Sequence, residues 1–225
     1  SHSLVGGLVG GAIAAQGLDS IHFPGLSRLV VVLLFSPPLG FLGGYLLMKL
    51  VLFLVRSASP RINWFFKRMQ LGTALVLALS HSTNDTQMTM GIITMGLVSA
   101  GVVRDFTVPL PVTVISTLAM ALGTSLGGWR TMRTLGGKFY KIRPVHSFTS
   151  QMASASVIFG AALVGGPVSA TQVISSSILG VGSAERLGKV RWNVAGQILV
   201  AWVLTMPASG LVAALFGSVL KHIIQ

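Results

Sequence analysis

Cysteine is absent from this chain of 225 residues, and charged residues are scarce. Without cysteine, the chain can form neither a disulfide framework nor a thiolate metal site. Charged residues make up only 9% of the sequence, against about 25% in soluble domains, whereas hydrophobic residues make up 52%. A soluble fold of this length could not cover its surface with so few charges. The composition therefore predicts a membrane protein.

Acidic residues are the scarcest charged group, since only four oppose sixteen basic residues and the net charge is +12. The basic residues do not fill one domain or one face, so nucleic-acid binding is not expected. Most of them lie in three short joints between apolar segments, as in the cytoplasmic loops of membrane proteins. The joints contain Arg56, Arg61, Lys67 and Arg68; Arg130, Arg133, Lys138, Lys141 and Arg143; and Arg186, Lys189 and Arg191.

The apolar segments predict an all-α, multi-pass helix bundle in the cell membrane. The expected spans are 26–55, 69–100, 107–128 and 192–219, with a shorter apolar stretch over 3–17 and a re-entrant pair over 147–182. Three breaks are expected, at Pro37-Pro38, at polar residues 80–89, and at Gly165-Gly166-Pro167. Irregular backbone at membrane depth is tolerated only inside the protein, so the last two breaks should face one interior.

A weak internal repeat pairs each residue in 1–44 with the residue 170 positions later. Seven of the 44 pairs are identical, and the shared glycines and prolines fall in register. The pairs are Gly10/Gly180, Ala14/Ala184, Leu29/Leu199, Val30/Val200, Leu34/Leu204, Pro37/Pro207 and Gly40/Gly210. In the expected topology the two copies run in opposite directions, as in the inverted repeats of secondary transporters. Residues 1–60 are therefore assigned to the tail of a first repeat and residues 61–225 to a second.

Asp85 is the acidic residue with the strongest functional signal. It lies between two apolar runs in Ser80-His81-Ser82-Thr83-Asn84-Asp85-Thr86-Gln87, part of a segment (residues 80–89) called the polar box below. A lone carboxylate at membrane depth is costly and therefore suggests a functional site. Its charge favours Na⁺ or H⁺ over an anion, and Ser80, Thr83 and Asn84 add neutral oxygens. The alternative is a structural kink in which Asp85 caps a half-helix.

By the repeat, a counterpart of Asp85 would precede Ser1. The chain is therefore expected to be the C-terminal portion of a longer transporter, or one half of a split pair that needs a separate N-terminal half.

A second candidate site is Pro167-Val168-Ser169-Ala170-Thr171-Gln172, called the hydroxyl cradle below. A proline followed by two hydroxyl residues is typical of a helix start, where hydroxyls and unpaired backbone N–H groups can hold a tetrahedral oxyanion. The alternative is an ordinary N-cap in a tight hairpin. The repeat copy, Ser1-His2-Ser3, favours the binding site.

The remaining motifs narrow the function to transport. His81 lies four residues before Asp85 and could relay protons, although a packed core histidine is the commoner role. The sequence contains no catalytic triad, nucleotide-binding loop or metal-ligand motif, so neither an enzyme nor a cofactor is expected. Without a nucleotide site, an ion gradient would have to drive any transport.

The polar box and the hydroxyl cradle resemble motifs of the inorganic phosphate transporter (Pit) family, which approximately reads S-H-G-x-N-D-A-Q-K-x-M-G-I-I at the first. The resemblance also includes Gly128-Trp129-Arg130-Thr131-Met132-Arg133-Thr134 and continues from the hydroxyl cradle as far as Ser175-Ser176. It is found again at Val190-Arg191-Trp192 and over 201–208. The chain departs from the family pattern at four positions. These are Ser82 for glycine, Met88 for lysine, Gln151 for glutamate and Gln172 for histidine.

The resemblance implies a symporter that carries inorganic phosphate with Na⁺ or H⁺ by alternating access. It places Asn84 and Asp85 at the cation and phosphate site, with both as ligands of Na⁺ in a sodium-coupled protein. The candidate substrate- and ion-binding residues are Ser1, His2, Ser80, Thr83, Asn84, Asp85, Gln87, Ser169, Thr171 and Gln172. A sulfate permease of the same family and a non-transporting half are the alternatives, and a homodimer is left open.

Overall fold

Seven α-helices and two short 3₁₀ turns form the part of the chain that the computed structural model describes, which is residues 1–59, 61–127, 129, 133 and 142–224. No strand occurs among these residues. The helices are α1 (His2–Gln16), α2 (Phe23–Leu54), α3 (Ile62–Ser99), α4 (Leu110–Gly127), α5 (Pro144–Leu163), α6 (Ala170–Glu185) and α7 (Trp192–Ile224). The 3₁₀ turns, Leu18–Ser20 and Leu187–Lys189, precede α2 and α7.

Three helices are long and apolar enough to cross a membrane: α2, α4 and α7 over Trp192–Ile223, within the described ranges. Large apolar side chains are exposed along their surfaces, for example Leu34, Leu118 and Leu215. In a soluble protein such surfaces would be costly, whereas lipid tails solvate them well. The all-α, multi-pass membrane bundle expected from the sequence is confirmed.

The expected break at residues 80–89 is wrong, because α3 runs through the polar box as one helix of 38 residues. The box contains neither glycine nor proline, and three of its hydroxyl groups bond to carbonyls of the same helix. Ser80 Oγ donates to the Val76 carbonyl at 2.9 Å, and Thr83 Oγ1 donates to the Leu79 carbonyl at 2.8 Å. Polar residues of this kind can therefore occupy a membrane helix without interrupting it.

The expected interruption at Pro37-Pro38 is also wrong, because both prolines lie inside α2. Pro37 has no N–H to donate to the Leu33 carbonyl, four residues earlier. Ser36 Oγ instead donates to that carbonyl at 3.0 Å, and Ser36 itself is buried. The side chain replaces the hydrogen bond that proline removes, so the helix continues.

The break between α5 and α6 is confirmed. Helix α5 ends at Leu163 and α6 begins at Ala170, while Gly165 adopts the left-handed backbone conformation that favours glycine, with φ of 69°. The two helices form a hairpin whose tip is residues 164–169. Every residue from 175 to 184 in α6 is buried, so this helix lies at the centre of the bundle.

The open end of the hairpin is closed by a charged cluster. Glu185, the last residue of α6, forms an ion pair with Arg143. Its Oε2 also lies 3.2 Å from Nε2 of His146, at the start of α5. His146 is almost completely buried. The cluster ties both arms of the hairpin together far from its tip.

Helix boundaries follow the offset of 170 residues. Shifting α2 by that offset gives 193–224, and α7 occupies Trp192–Ile224. Each short helix packs along the long helix of the other repeat copy: α1 lies along α7, and α6 lies along α2. Both pairs approach backbone to backbone at glycine, since a Cβ on Gly10 would overlap the Gly210 carbonyl and a Cβ on Gly180 would overlap the Phe41 carbonyl. Two repeats related by a pseudo-two-fold axis would pack in this way, and the assignment of residues 1–60 and 61–225 to two repeats stays a prediction.

The second basic joint lies mostly outside the described residues, which include only Arg133 and Arg143 of its five basic residues. In the first joint, Lys67 and Arg68 belong to the first turns of α3, which begins before the expected residue 69. The cytoplasmic placement of the three joints stays a prediction.

Candidate functional site

Asn84 joins α3 to the tip of the hairpin. Its side chain is buried and pairs with the peptide groups of Val168, where Nδ2 donates to the carbonyl at 3.0 Å and Oδ1 accepts from the backbone N–H at 3.4 Å. Around this contact, Val168 packs with Ile158 and Val173 in an apolar cluster that also includes Leu77 of α3. The asparagine thus satisfies a backbone segment that has left regular helix structure.

Asp85 lies beside Asn84 and has two carboxylate oxygens in different surroundings. Oδ1 accepts from Asn84 Nδ2 at 2.9 Å, and Oδ2 lies 3.3 Å from His81 Nε2. About a third of the Asp85 side chain, 34%, remains accessible. The carboxylate is therefore held in orientation by two neighbours while keeping a face open to a ligand.

Ser1 brings the first repeat to the same point. Its Oγ donates to the Val168 carbonyl at 2.9 Å and lies 3.4 Å from the Met88 sulfur. The Val168 carbonyl consequently accepts hydrogen bonds from both Ser1 and Asn84. One backbone carbonyl at the hairpin tip connects α1, α3 and α6.

The hydroxyl cradle begins α6 next to this carbonyl. Ser169 is the N-cap residue, and its buried side chain makes no capping bond to the helix. Its Oγ lies 3.3 Å from Thr171 Oγ1, and Thr171 is exposed. Two hydroxyls and the unpaired N–H groups of the first helical turn therefore lie together, as an oxyanion site requires.

His2 and Gln172 meet beneath the cradle. His2 Nδ1 lies 3.4 Å from Gln172 Nε2, and both residues are buried. They are neighbours in sequence of Ser1 and Thr171, respectively. The contact connects the first turn of α1 with the first turn of α6.

Three other predicted residues lie at different positions on α3. Ser80 is buried one turn before Asn84 and lines a cavity of about 320 Å³ between α3 and α5. Thr83 lines the same cavity, is exposed and bonds within its own helix. Gln87 is exposed. Thr83 lies about 100° around the helix from Asn84, so it faces α5 rather than the hairpin tip. Their proposed binding roles stay predictions.

Two members of the site carry no side-chain signal in the sequence. Val168 contributes only its peptide groups, which any residue could supply, and Met88 supplies a sulfur acceptor that sequence analysis could not separate from core packing. The pairing of His2 with Gln172 does have a signal, because the two residues are separated by the repeat offset.

Among the described residues, no group of three or more His, Asp, Glu or Cys side chains could hold a metal ion. A cation at the accessible face of Asp85 would meet a single carboxylate. Such a donor set suits a hard, weakly held cation better than a transition metal.

The fold and this hairpin site define a membrane transport protein. Residues 55–213 match the family described as the phosphate transporter family. A probable low-affinity inorganic phosphate transporter of Bacillus subtilis is 39% identical, with 99% of this chain and 68% of that protein covered. Proteins of the same description from Rhizobium meliloti and Mycobacterium tuberculosis are each 42% identical. The chain belongs to the phosphate transporter family and is a multi-pass membrane protein, not an enzyme.

The chain spans only part of these relatives: 65% of the Rhizobium protein and 52% of the Mycobacterium protein, with 96% and 95% of this chain covered. A solved structure, described as the sodium-dependent phosphate transporter, has the same fold. Its TM-score is 0.84 over 99% of this chain and 73% of that chain, at 23% identity.

Proposed function

We propose that this protein carries inorganic phosphate across the membrane as a secondary transporter driven by a Na⁺ or H⁺ gradient. The observation that carries the proposal is the junction at the hairpin tip, where Asn84 and Asp85 of α3 meet the hydroxyl cradle through Val168. The relatives described as phosphate transporters support phosphate as the substrate.

The cradle suits a tetrahedral oxyanion. Ser169 and Thr171 supply hydroxyl groups, and the start of α6 supplies unpaired backbone N–H groups and a partial positive charge. Ser1 lies beside them and donates its hydroxyl proton to the Val168 carbonyl. Phosphate could therefore be bound here without a lysine or arginine. A neutral cradle also allows release, because it does not hold the anion through a full opposite charge.

Asp85 supplies the coupling. A bound cation or proton neutralises its carboxylate, which otherwise repels phosphate across the adjacent cradle. Cation binding and phosphate binding then favour each other, and by linkage the effect is reciprocal. Asn84 turns its amide Nδ2 toward the carboxylate and its Oδ1 toward the Val168 N–H, so it both orients Asp85 and holds the hairpin tip.

The symmetry of the bundle suggests a second site. Helix α3 packs against α5, which packs against α6, and α6 is the repeat counterpart of α1. We therefore propose that a first-repeat box equivalent to residues 80–89, from the same or a separate chain, packs against α1 in the active transporter. Phosphate uptake by the described chain alone in liposomes tests whether that second box is required.

Uptake of labelled phosphate into proteoliposomes that contain the chain together with its first-repeat half tests the function. We expect uptake against the phosphate gradient when an inward Na⁺ or H⁺ gradient is imposed, and none when both gradients are collapsed by ionophores. Unlabelled phosphate should compete at much lower concentration than unlabelled sulfate. Gradient-independent uptake would contradict a coupled carrier, and equal competition by sulfate would contradict phosphate selectivity.

A further inference from the structure

The contact between His2 and Gln172 joins two residues that are counterparts of each other in the repeat. The two residues are 170 positions apart, which is the offset of the repeat, and their side-chain nitrogens lie 3.4 Å from each other. A residue that touches its own symmetry counterpart must lie on the symmetry axis. The pseudo-two-fold axis therefore passes between His2 and Gln172.

The neighbouring packing contacts obey the same symmetry. Gly10 meets Gly210 between α1 and α7, whereas Gly40 meets Val173 and Ser176 between α2 and α6. Gly210 also approaches the Gly6 carbonyl, and the repeat counterparts of Gly6 and Gly210 are Ser176 and Gly40. The Gly6–Gly210 and Ser176–Gly40 contacts are therefore in register with the His2–Gln172 contact, where the two copies touch through their side chains.

Both side chains lie between polar and apolar surroundings. Above them are Ser1 and Thr171, the adjacent residues of the proposed phosphate site. Below them is a cavity of about 400 Å³ between α2 and α7. Its remaining lining consists of aliphatic residues, prolines, a methionine and a tryptophan, including Leu33, Pro37 and Met206. An unpaired imidazole or amide facing this cavity would be costly, so each residue depends on the other.

We propose that His2 and Gln172 are positioning residues that hold the two halves of the phosphate site at a fixed separation across the pseudo-two-fold axis. The proposal rests on the proposed phosphate transport. Neither residue needs to touch phosphate, since each acts through its neighbour: His2 places Ser1, and Gln172 places Thr171 and Ser169. Loss of the pair should therefore raise the KM for phosphate more than it lowers the maximal uptake rate.

A double-mutant cycle in the purified protein tests this pairing. His2→Leu and Gln172→Leu should each raise the KM for phosphate about tenfold while changing the maximal uptake rate by less than about threefold. The double Leu variant should be no worse than either single variant, because the interaction is already lost. Gln197→Leu replaces an exposed glutamine of α7 and should leave the KM unchanged.

An exchange variant, His2→Gln/Gln172→His, separates pairing from a role of either residue alone. It reverses the pair across the axis and should keep the KM within about twofold of the native value. The proposal is overturned if the two Leu effects multiply in the double variant, or if the exchange variant is as impaired as the double Leu variant.

Thermal unfolding of the same variants gives a second measurement of the pairing, and it does not depend on transport. The thermal unfolding midpoints of the four proteins should show the same non-additivity, even if the native protein were found not to carry phosphate. Absent phosphate uptake by the chain combined with its first-repeat half would contradict the proposed function, whereas additive unfolding midpoints would contradict the contact itself.

Discussion

At the scale of single residues, the site is organised around a backbone carbonyl rather than around a charged side chain. The Val168 carbonyl accepts from Asn84 and Ser1, and thereby connects α3 with both helix starts. Asp85 is oriented by Asn84 but does not itself hold the hairpin. The two neighbouring residues of the polar box therefore differ in role: Asn84 joins the elements, whereas Asp85 is the residue that we propose responds to the coupling ion.

Replacing Asn84 should consequently destabilise the protein. Asn84→Ala removes both contacts with the Val168 peptide and leaves a buried N–H without its amide partner, at a cost of about 1–3 kcal/mol. Unfolding of the detergent-solubilised protein, followed by circular dichroism, measures the loss. Asn63→Ala, at an exposed position of the same helix, should leave the unfolding midpoint nearly unchanged. Equal midpoints for the two variants would show that Asn84 does not anchor the hairpin.

At the scale of elements, close helix packing is confined to particular glycines. Helix α1 approaches α7 so closely that Gly10 and Gly210 meet through their backbones, whereas Gly7, three residues earlier, has no atom near its missing side chain. Without a hydrophobic force between helices in lipid, such close approach is a main source of association energy. The packing of α1, and with it the position of Ser1 and His2, depends on this one face.

The two glycines provide a matched pair of variants. Gly10→Ala should push α1 away from α7, because the added methyl group overlaps the Gly210 carbonyl, and should cost about 1–3 kcal/mol. Gly7→Ala meets nothing within 4 Å and should stabilise the helix by up to about 1 kcal/mol. A lower unfolding midpoint for Gly10→Ala and a higher one for Gly7→Ala, each relative to the native protein, would support this packing. A similar fall in the midpoint for both variants would contradict it.

At the scale of the whole molecule, the sequence predicted the class of fold because composition and apolar run length determine it directly. The bend at Gly165-Gly166-Pro167 was also predictable, since glycine with positive φ and proline both end helices. The continuity of α2 and α3 was not predictable, because it depends on hydroxyl groups such as Ser36 and Ser80 bonding to their own helix. Polarity alone does not distinguish a break from a satisfied helix.

The candidate site was predicted in part. Asn84, Asp85, Ser169 and Ser1 were identified from motif and repeat, and the structure brings their elements together at Val168. The junction itself could not be predicted, because a backbone carbonyl carries no signature in the sequence. The repeat offset did contain the pairing of His2 with Gln172, although only the fold shows that the axis passes between them.

The central claim is that Asp85 couples the driving ion to phosphate. Gradient-driven accumulation of labelled phosphate, compared between the native protein and Asp85→Asn in identical proteoliposomes, tests this claim most directly. Asp105→Asn, which neutralises an exposed acidic residue between α3 and α4, is the control for the lost charge. We predict that Asp85→Asn abolishes accumulation and that Asp105→Asn retains it. Native accumulation by the Asp85→Asn protein would contradict the account.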